Sequence, residues 1–188
     1  LVGNIPYYIT GFLLRKIGEL ERKPKVIVLT VQKEVAERIC ASPRESASGP
    51  RKSALGPKMN LLAASVQYWG KPKIIGFISK KHFRPQPKVD SAILKIIPHP
   101  VKSLRAHGAS RKRVSKKEAD NYYRFIKILF KQPRKTIFNN LRAGLKASGK
   151  ALVNALDKAG IKPDSRPQNL SIKDIQAISR VFHRLKEL

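Results

Sequence analysis

Four consecutive residues near the start of the chain, Asn4, Ile5, Pro6 and Tyr7, are suited to holding a flat base that carries an amino group. The exocyclic nitrogen of adenine is a poor nucleophile because its lone pair is delocalised into the ring. Two acceptors on its hydrogens would draw that nitrogen toward tetrahedral geometry and free the lone pair. The Asn4 side-chain oxygen can be one acceptor and the Ile5 carbonyl the other, since Pro6 restricts Ile5 to an extended conformation.

The ring of Tyr7 lies just beyond this pair of acceptors and can stack on the base, which is worth about 1–3 kcal/mol. Positioning and electrostatics would then supply most of the catalysis, with no dedicated general base. The same tetrad also fits a simpler interpretation, a strand end followed by a proline turn and a tyrosine that packs inside the protein. Four residues alone leave both interpretations open.

The chain is strongly basic, with 40 Lys and Arg against 12 Asp and Glu in 188 residues and a net charge of +28. The excess is spread along the sequence rather than confined to a tail. A nucleic acid is the expected partner, because counterion release from phosphates drives such binding. An anionic membrane surface is the competing partner, but no apolar run approaches the roughly 20 residues that span a bilayer, and no signal peptide is visible.

The residues that form disulfides and metal sites are few. Cys40 is the only cysteine and cannot form an internal disulfide, which suits a cytoplasmic protein. The four histidines are scattered and have no cysteine partners, so no metal site is expected.

Alternating strand and helix patterns up to residue 98 predict an α/β layer. The expected elements are a helix capped by Thr10 with Leu13, Ile17 and Leu20 on one face, strands at 26–32, 74–79 and 90–97, and helices at 33–41 and 60–69. The last two strands should form an antiparallel pair. Residues 42–58, rich in Ser, Pro, Gly and basic side chains, predict a loop insertion.

Beyond Pro98 the pattern changes to a basic linker at 99–117 and a helical domain at 118–188. Four amphipathic stretches follow the linker. Gly160 marks the stop of the third, and Ser171 with Asp174 predicts a capping box for the fourth.

Five stretches occur in an order that is informative beyond each one alone: NIPY (4–7), QKEVAERI (32–39), FRPQPKVDSAIL (83–94), FKQPRKTIFNNL (130–141) and RPQNLSIKDI (166–175). Through them the chain resembles the ribosomal RNA adenine N6,N6-dimethyltransferases, the family of the bacterial kasugamycin-sensitivity methylase. The resemblance covers most of the chain. It implies part of a class I S-adenosylmethionine-dependent methyltransferase sheet, which is Rossmann-like, followed by a small all-α RNA-binding domain.

The resemblance also implies an activity, which is dimethylation of adenine amines in small-subunit ribosomal RNA during ribosome maturation. The partner would be the immature small ribosomal subunit, and the protein would act in the cytoplasm as a monomer. Asn4 and the Ile5 carbonyl would hold the amine, Tyr7 would stack, and Asn4 would also border the cofactor. Phe83 would be a second aromatic wall; a core phenylalanine at a strand entrance is the alternative.

The sequence departs from the family pattern at the cofactor. It contains no G-x-G turn, and no acidic residue follows an early strand at the spacing that grips a ribose. We therefore expect the chain to be the C-terminal part of a longer enzyme, without its N-terminal cofactor-binding half, and to bind S-adenosylmethionine poorly by itself.

Basic residues around a predicted helix start are the expected RNA contacts, because helix N-termini and nearby cations suit phosphates. They are Lys131, Arg134, Lys135 and Arg142. Arg111, Lys112 and Arg113 in the linker would add a sequence-independent grip. Arg44, Arg51, Lys52 and Lys58 would touch RNA, or else belong to a solvated insertion.

Two alternative functions remain at this point. One is a non-catalytic, RNA-binding ribosome assembly factor, which the missing cofactor residues permit. The other is a large-subunit ribosomal RNA adenine methyltransferase of the antibiotic-resistance branch, against which the two C-terminal stretches argue.

Overall fold

The structure is a computed structural model that describes residues 1–41, 58–100 and 116–184. The expected contacts Arg44, Arg51, Lys52, Arg111, Lys112 and Arg113 lie outside these residues. The strands and helices are β1 Val2–Asn4, α1 Thr10–Glu19, β2 Ile27–Gln32, α2 Lys33–Ile39, α3 Leu61–Gln67, β3 Gly70–Ile78, β4 Ser91–Pro98, α4 Lys116–Leu129, α5 Ile137–Gly144, α6 Gly149–Lys158 and α7 Ile172–Arg184.

The four strands form one mixed sheet in the order β1-β2-β4-β3. β1 runs parallel to β2, whereas β4 is antiparallel to both of its neighbours. The α/β class and the antiparallel pairing of the last two strands are confirmed. Asn4 pairs with Thr30, and Gln32 pairs with Ser91. The carboxyl ends of β1 and β2 and the start of β4 therefore share one end of the sheet.

The core of this sheet comes from alternate residues of its two central strands. Ile27, Leu29 and Val31 of β2 are buried, as are Leu94 and Ile96 of β4. α2 packs against β2, β3 and β4. Because successive side chains of a strand point to opposite faces, this alternation identifies one strongly buried face.

β3 begins at Gly70, four residues before the predicted start. The added residues include Pro72, which is tolerated because β3 is an edge strand, where a missing N–H leaves no partner unpaired. Gly70 is also required by packing, because a Cβ there would lie 2.7 Å from Ile96 Cγ2 and 3.4 Å from the Ile97 carbonyl oxygen.

The prediction that Thr10 caps α1 is wrong. A 3₁₀ turn at Tyr7–Ile9 leads into the helix, so Thr10 is already helical. Its hydroxyl is buried with no hydrogen-bond partner in the part of the chain that the structure describes. The buried face accordingly consists of Thr10, Leu14 and Ile17, while Leu20 is exposed.

The chain divides into two compact units, Leu1–Cys40 with Ser65–Ser115, and Ala41–Ala64 with Lys116–Leu188. The second unit has a helical core that includes the stacked rings of Phe125 and Phe182, whose centroids are 5.9 Å apart. The capping box is confirmed, since Asp174 accepts from the Ser171 N–H at 2.8 Å and Ser171 Oγ accepts from the Asp174 N–H at 3.1 Å. Gly160 has φ 70°, which suits the stop predicted there.

None of the helices in the described ranges is long and apolar enough to cross a membrane. Within the same ranges, no three His, Cys, Asp or Glu side chains are grouped so that they could hold a metal ion.

Candidate active site

The Asn4–Tyr7 corner follows directly on the carboxyl end of β1. Asn4 is exposed and Ile5 is half-buried, so the side-chain amide is not drawn into the core. Pro6 has φ −57° and ψ 133°, and its carbonyl oxygen accepts a hydrogen bond from the Ile9 N–H at 3.2 Å. The corner is thus closed by its own backbone, and a polar side chain stands at its outer surface.

Tyr7 is held by a hydrogen bond to β4, which is separated from β1 in the sheet by β2. The ring is half-buried, and its Oη lies 2.7 Å from Oγ of Ser91, the first residue of β4. Ser91 is fully buried. The bond joins the stretches NIPY and FRPQPKVDSAIL, which are 84 residues apart at these two positions. Tyr7 is therefore neither a free surface ring nor a fully buried core residue.

Phe83 lies in the connection from β3 to β4, directly after a 3₁₀ turn at Lys80–His82, and its side chain is half-buried. Asp90 closes this connection. Its carboxylate accepts from the Lys80 N–H at 3.0 Å, and its carbonyl accepts from the Lys33 N–H at 3.0 Å. One residue thus ties the connection to its own start and to the first turn of α2.

A cleft of about 300 Å³ adjoins this connection. It is lined by Lys33, Glu34, Glu37, Lys80, Lys88, Val89 and Asp90. Six of these seven side chains are ionisable, whereas pockets for drug-sized and cofactor ligands are mostly apolar with a few polar groups. The cleft does not suit the adenosyl group of S-adenosylmethionine, and the sequence offers no G-x-G turn to hold its carboxypropyl end.

The basic residues predicted around the start of α5 fall in two places. Lys131, Arg134 and Lys135 lie in the turn between α4 and α5, and Arg142 lies on α5; all four side chains are exposed. The buried side chain of Asn140 holds this turn through hydrogen bonds to its backbone. Its Oδ1 accepts from the Gln132 N–H at 2.9 Å, and its Nδ2 donates to the carbonyls of Gln132 at 3.0 Å and Thr136 at 3.1 Å.

The amides at the start of α5 are already engaged, which corrects the expectation that this helix end helps to hold phosphate. The Ile137 N–H donates to the Ser165 carbonyl at 2.8 Å and the Phe138 N–H to the Pro163 carbonyl at 3.2 Å. The Asn139 N–H donates to Thr136 Oγ1 at 3.2 Å. Phosphate contacts at this turn would have to come from the exposed lysine and arginine side chains.

Sequence reasoning missed three features of these surfaces. Ser91 and Asn140 stand inside two of the five family stretches, but their partners are identified only by the fold. Tyr8 and Phe12 are exposed aromatic residues beside the corner, at 89% and 65%. Their spacing of four residues, next to a buried face at Thr10, Leu14 and Ile17, is a signal that the helix pattern contained.

In the first unit, the pKa values of Glu19 and Cys40 differ from their ordinary values. Hydrogen bonds from Lys16 and Arg15 hold the pKa of the Glu19 carboxyl below its ordinary value. Burial raises the pKa of the Cys40 thiol, so this residue lacks the thiolate character of a cysteine nucleophile.

A family model described as ribosomal RNA adenine dimethylase matches residues 1–184. A curated relative named ribosomal RNA small subunit methyltransferase A, from Dehalococcoides mccartyi, is 35% identical over 183 residues, covering 97% of this chain and 55% of the relative. The protein of that name from Clostridium botulinum is 32% identical over 179 residues, covering 95% of this chain and 57% of the relative. The chain spans about half the length of these relatives.

Two solved structures share the fold. A dimethyladenosine transferase from Plasmodium falciparum superposes with a TM-score of 0.73 at 22% identity, over 99% of this chain and 67% of that one. The 23S rRNA methyltransferase ErmE superposes with a TM-score of 0.61 at 19% identity, over 97% of this chain and 64% of that one. At these identities the likeness establishes a methyltransferase-type α/β fold.

Proposed function

Because the chain belongs to the ribosomal RNA adenine dimethylase family, we propose that the protein dimethylates exocyclic amines of adenines in small-subunit ribosomal RNA. The observation that carries the proposal is the corner at residues 4–7, where an exposed amide stands beside a half-buried tyrosine ring that is fixed by Ser91. The whole protein acts in the cytoplasm on the immature small ribosomal subunit.

In this proposal the corner handles the acceptor base. Asn4 Oδ1 and the Ile5 carbonyl accept hydrogen bonds from the adenine amine, and Tyr7 stacks on the base. The hydrogen bonds localise the lone pair on the amine nitrogen, which makes it a better nucleophile. Phe83 supplies the opposite wall. The base must leave its own stack to reach these groups, and an unpaired adenine does so at the smallest cost.

The basic side chains bind the RNA backbone. Lys131, Arg134, Lys135 and Arg142 contact phosphates and add affinity without reading sequence. Arg111, Lys112 and Arg113, outside the described residues, are proposed to contribute in the same way.

S-adenosylmethionine is the methyl donor of the methyltransferases in this family. Neither the charged cleft nor the sequence around it fits the donor, so we assign no step of donor binding to this chain beyond a boundary at Asn4. What this chain provides is the binding and orientation of the acceptor.

The test of acceptor handling uses the chain itself and a single-stranded oligoribonucleotide with one adenine. Replacing that adenine by purine riboside, which lacks the exocyclic amine, should weaken binding of the unmodified chain several-fold. The Asn4→Ala variant should bind both oligonucleotides equally, because it no longer has the acceptor that distinguishes them. Equal binding of both oligonucleotides by the unmodified chain would contradict the proposal.

The test of activity joins the chain to the segment of the Dehalococcoides mccartyi relative that it does not cover. With S-adenosylmethionine, the joined protein should methylate undermethylated small ribosomal subunits, and Asn4→Ala should abolish transfer while RNA binding persists. Transfer to large-subunit RNA instead would favour the antibiotic-resistance branch. If the joined protein with Asn4 intact binds RNA and the donor but never transfers methyl groups, the result would favour a non-catalytic assembly factor.

A further inference from the structure

We propose that Tyr8 and Phe12 form a stacking platform for an unpaired base next to the target adenine. This inference rests on the proposed function and adds a second base-binding site to it. Tyr8 follows the base-binding tyrosine directly, in the 3₁₀ turn at Tyr7–Ile9, and Phe12 lies in the first turn of α1.

Exposure separates these two rings from the rest of the helix. Tyr8 is 89% exposed and Phe12 is 65% exposed, whereas Leu14 and Ile17 on the opposite face are buried. The two rings are four residues apart across the junction between the 3₁₀ turn and α1, and both lie at the start of the helix. Gly11 leaves this surface open, because a Cβ at Gly11 would meet no atom within 4 Å. The rings therefore play no part in the core of the unit.

A cation lies beside the Phe12 ring. Lys16 Nζ lies 5.8 Å from the centroid of the Phe12 ring, close enough for a cation–π contact. Lys16 and Arg15 also form ion pairs with Glu19, the last residue of α1, at 3.1 Å and 3.0 Å. Both remain about half exposed, so they stay accessible to a phosphate.

This composition favours a nucleotide over an apolar protein partner. Single-stranded RNA is bound by aromatic side chains that stack on bases, beside positive charges that follow the backbone. An apolar helix or strand would instead need a contiguous patch without charges at its centre. Two exposed rings, one of them beside a lysine, in a chain of net charge +28, match the former pattern.

The sheet offers a matched control. Phe77 on β3 is 59% exposed, and Lys33 Nζ lies 5.2 Å from its ring centroid. It has the same chemistry as Phe12 with its lysine, but it belongs to a different element. A general effect of removing an exposed aromatic ring would appear in both places.

The experiment measures affinity of the chain for a single-stranded oligoribonucleotide with one adenine, and for the same strand with abasic residues on both sides of that adenine. Fluorescence anisotropy provides the dissociation constants. Each of Tyr8→Leu and Phe12→Leu should weaken binding of the intact strand about fivefold or more, by loss of one stacked base. Neither should change binding of the abasic strand or the salt dependence, because no charge is altered. Phe77→Leu should leave both affinities unchanged.

Two results would overturn the platform. One is intact-strand binding that is unchanged in the Tyr8→Leu, Phe12→Leu double variant. The other is an equal loss for the intact and abasic strands, which would indicate a role that does not involve bases. Failure of the proposed function is separate, because it appears as equal affinity for adenine and purine riboside at the central position, whichever residues flank it.

Discussion

The ring of Tyr7 is positioned by one hydrogen bond, between its phenol hydroxyl and the hydroxyl of Ser91 on β4. Ser91 is buried, so its Oγ would cost free energy if left unpaired, and the bond to Tyr7 satisfies it. The bond restrains the hydroxyl end of the half-buried ring. If the ring stacks on a base as proposed, this restraint reduces the conformational entropy that is lost on binding.

Removing this bond should be measurable in two ways. Tyr7→Phe and Ser91→Ala should each lower the free energy of unfolding by about 1 kcal/mol. The double variant should cost less than the sum of the single changes, because both remove the same bond. Urea unfolding of the four proteins provides the cycle. Strictly additive losses would show that the two hydroxyls do not act as a pair.

For individual residues, the sequence predicted a strand end directly before the tetrad, and β1 extends slightly further, to include Asn4. It did not identify Ser91 as the partner of Tyr7, because 84 residues separate them and only the sheet brings them together. The Thr10 prediction failed for a local reason. Capping propensity favours threonine before a helix, but a 3₁₀ turn had already started the helical backbone.

At the level of the elements, the turn between α4 and α5 is held by a side chain of α5, the helix that follows it. Asn140 is only 3% exposed, and its amide makes hydrogen bonds to backbone groups of Gln132 and Thr136. Three cations, Lys131, Arg134 and Lys135, are presented by the backbone that this amide holds. Ordering the turn before RNA binds reduces the entropy lost on binding.

Asn140→Ala should loosen this turn while the helices persist. The buried backbone groups lose their partners, which costs about 1–3 kcal/mol. Trypsin should cleave after Arg134 and Lys135 faster than in the unmodified chain, and RNA affinity should fall. Asn139→Ala, at the exposed neighbouring position, is the control and should change neither. Unchanged cleavage in Asn140→Ala would mean that the turn is held by other contacts.

Gly144, at the end of α5, marks a close approach to α4. A Cβ there would lie 2.3 Å from Ile128 Cγ2, next to the rigid base of that side chain. Gly144→Ala should therefore destabilise the helical unit by about 1–3 kcal/mol, as overpacking does. Thermal unfolding followed by circular dichroism provides the measurement.

Two further variants make this prediction specific. Gly144→Ala should be better tolerated in an Ile128→Ala background, where the clashing atoms are absent. Gly11→Ala, at a helical position with nothing within 4 Å, should be neutral or stabilising by about 0.5–1 kcal/mol. If both alanines cost the same, the loss would reflect something other than contact with Ile128.

The existence and type of the helices and strands were largely predictable, because apolar periodicity is a local property. The start of β3 was not, since a proline is tolerated only when the strand lies at an edge, which depends on the strand order. The hydrogen bonds of the first backbone amides of α5 could not be predicted from the sequence either. Their acceptors, Ser165 and Pro163, come from a segment more than twenty residues along the chain.

For the molecule as a whole, the order of five short stretches was more informative than any composition. The family and the methyltransferase-type α/β fold predicted from them are confirmed. Composition predicted only a polyanionic partner, because charge acts at long range and carries little information on fold. The combination is what leads to ribosomal RNA as the proposed substrate.

The affinity of the chain for RNA should depend steeply on salt concentration. With a net charge of +28 the chain should release many counterions on binding. If about 6–10 phosphates of a single strand are contacted, affinity should fall by about 300-fold to 10⁴-fold between about 50 and 200 mM salt. A flat response in the unmodified chain would remove the electrostatic basis of the proposed interaction.

The exposed turn can be separated from the general charge. Changing Lys131, Arg134 and Lys135 together to Gln should reduce the slope of log affinity against log salt by about 0.7 for each phosphate that these side chains neutralise. The control changes Lys146, Lys150 and Lys158 to Gln, which removes the same charge from exposed positions of the same unit. Loss of a direct phosphate contact lowers the slope, because fewer counterions are released on binding. Loss of long-range attraction alone would weaken binding similarly in the two triple variants. Equal slopes in the two triple variants would therefore contradict a dedicated phosphate-binding turn.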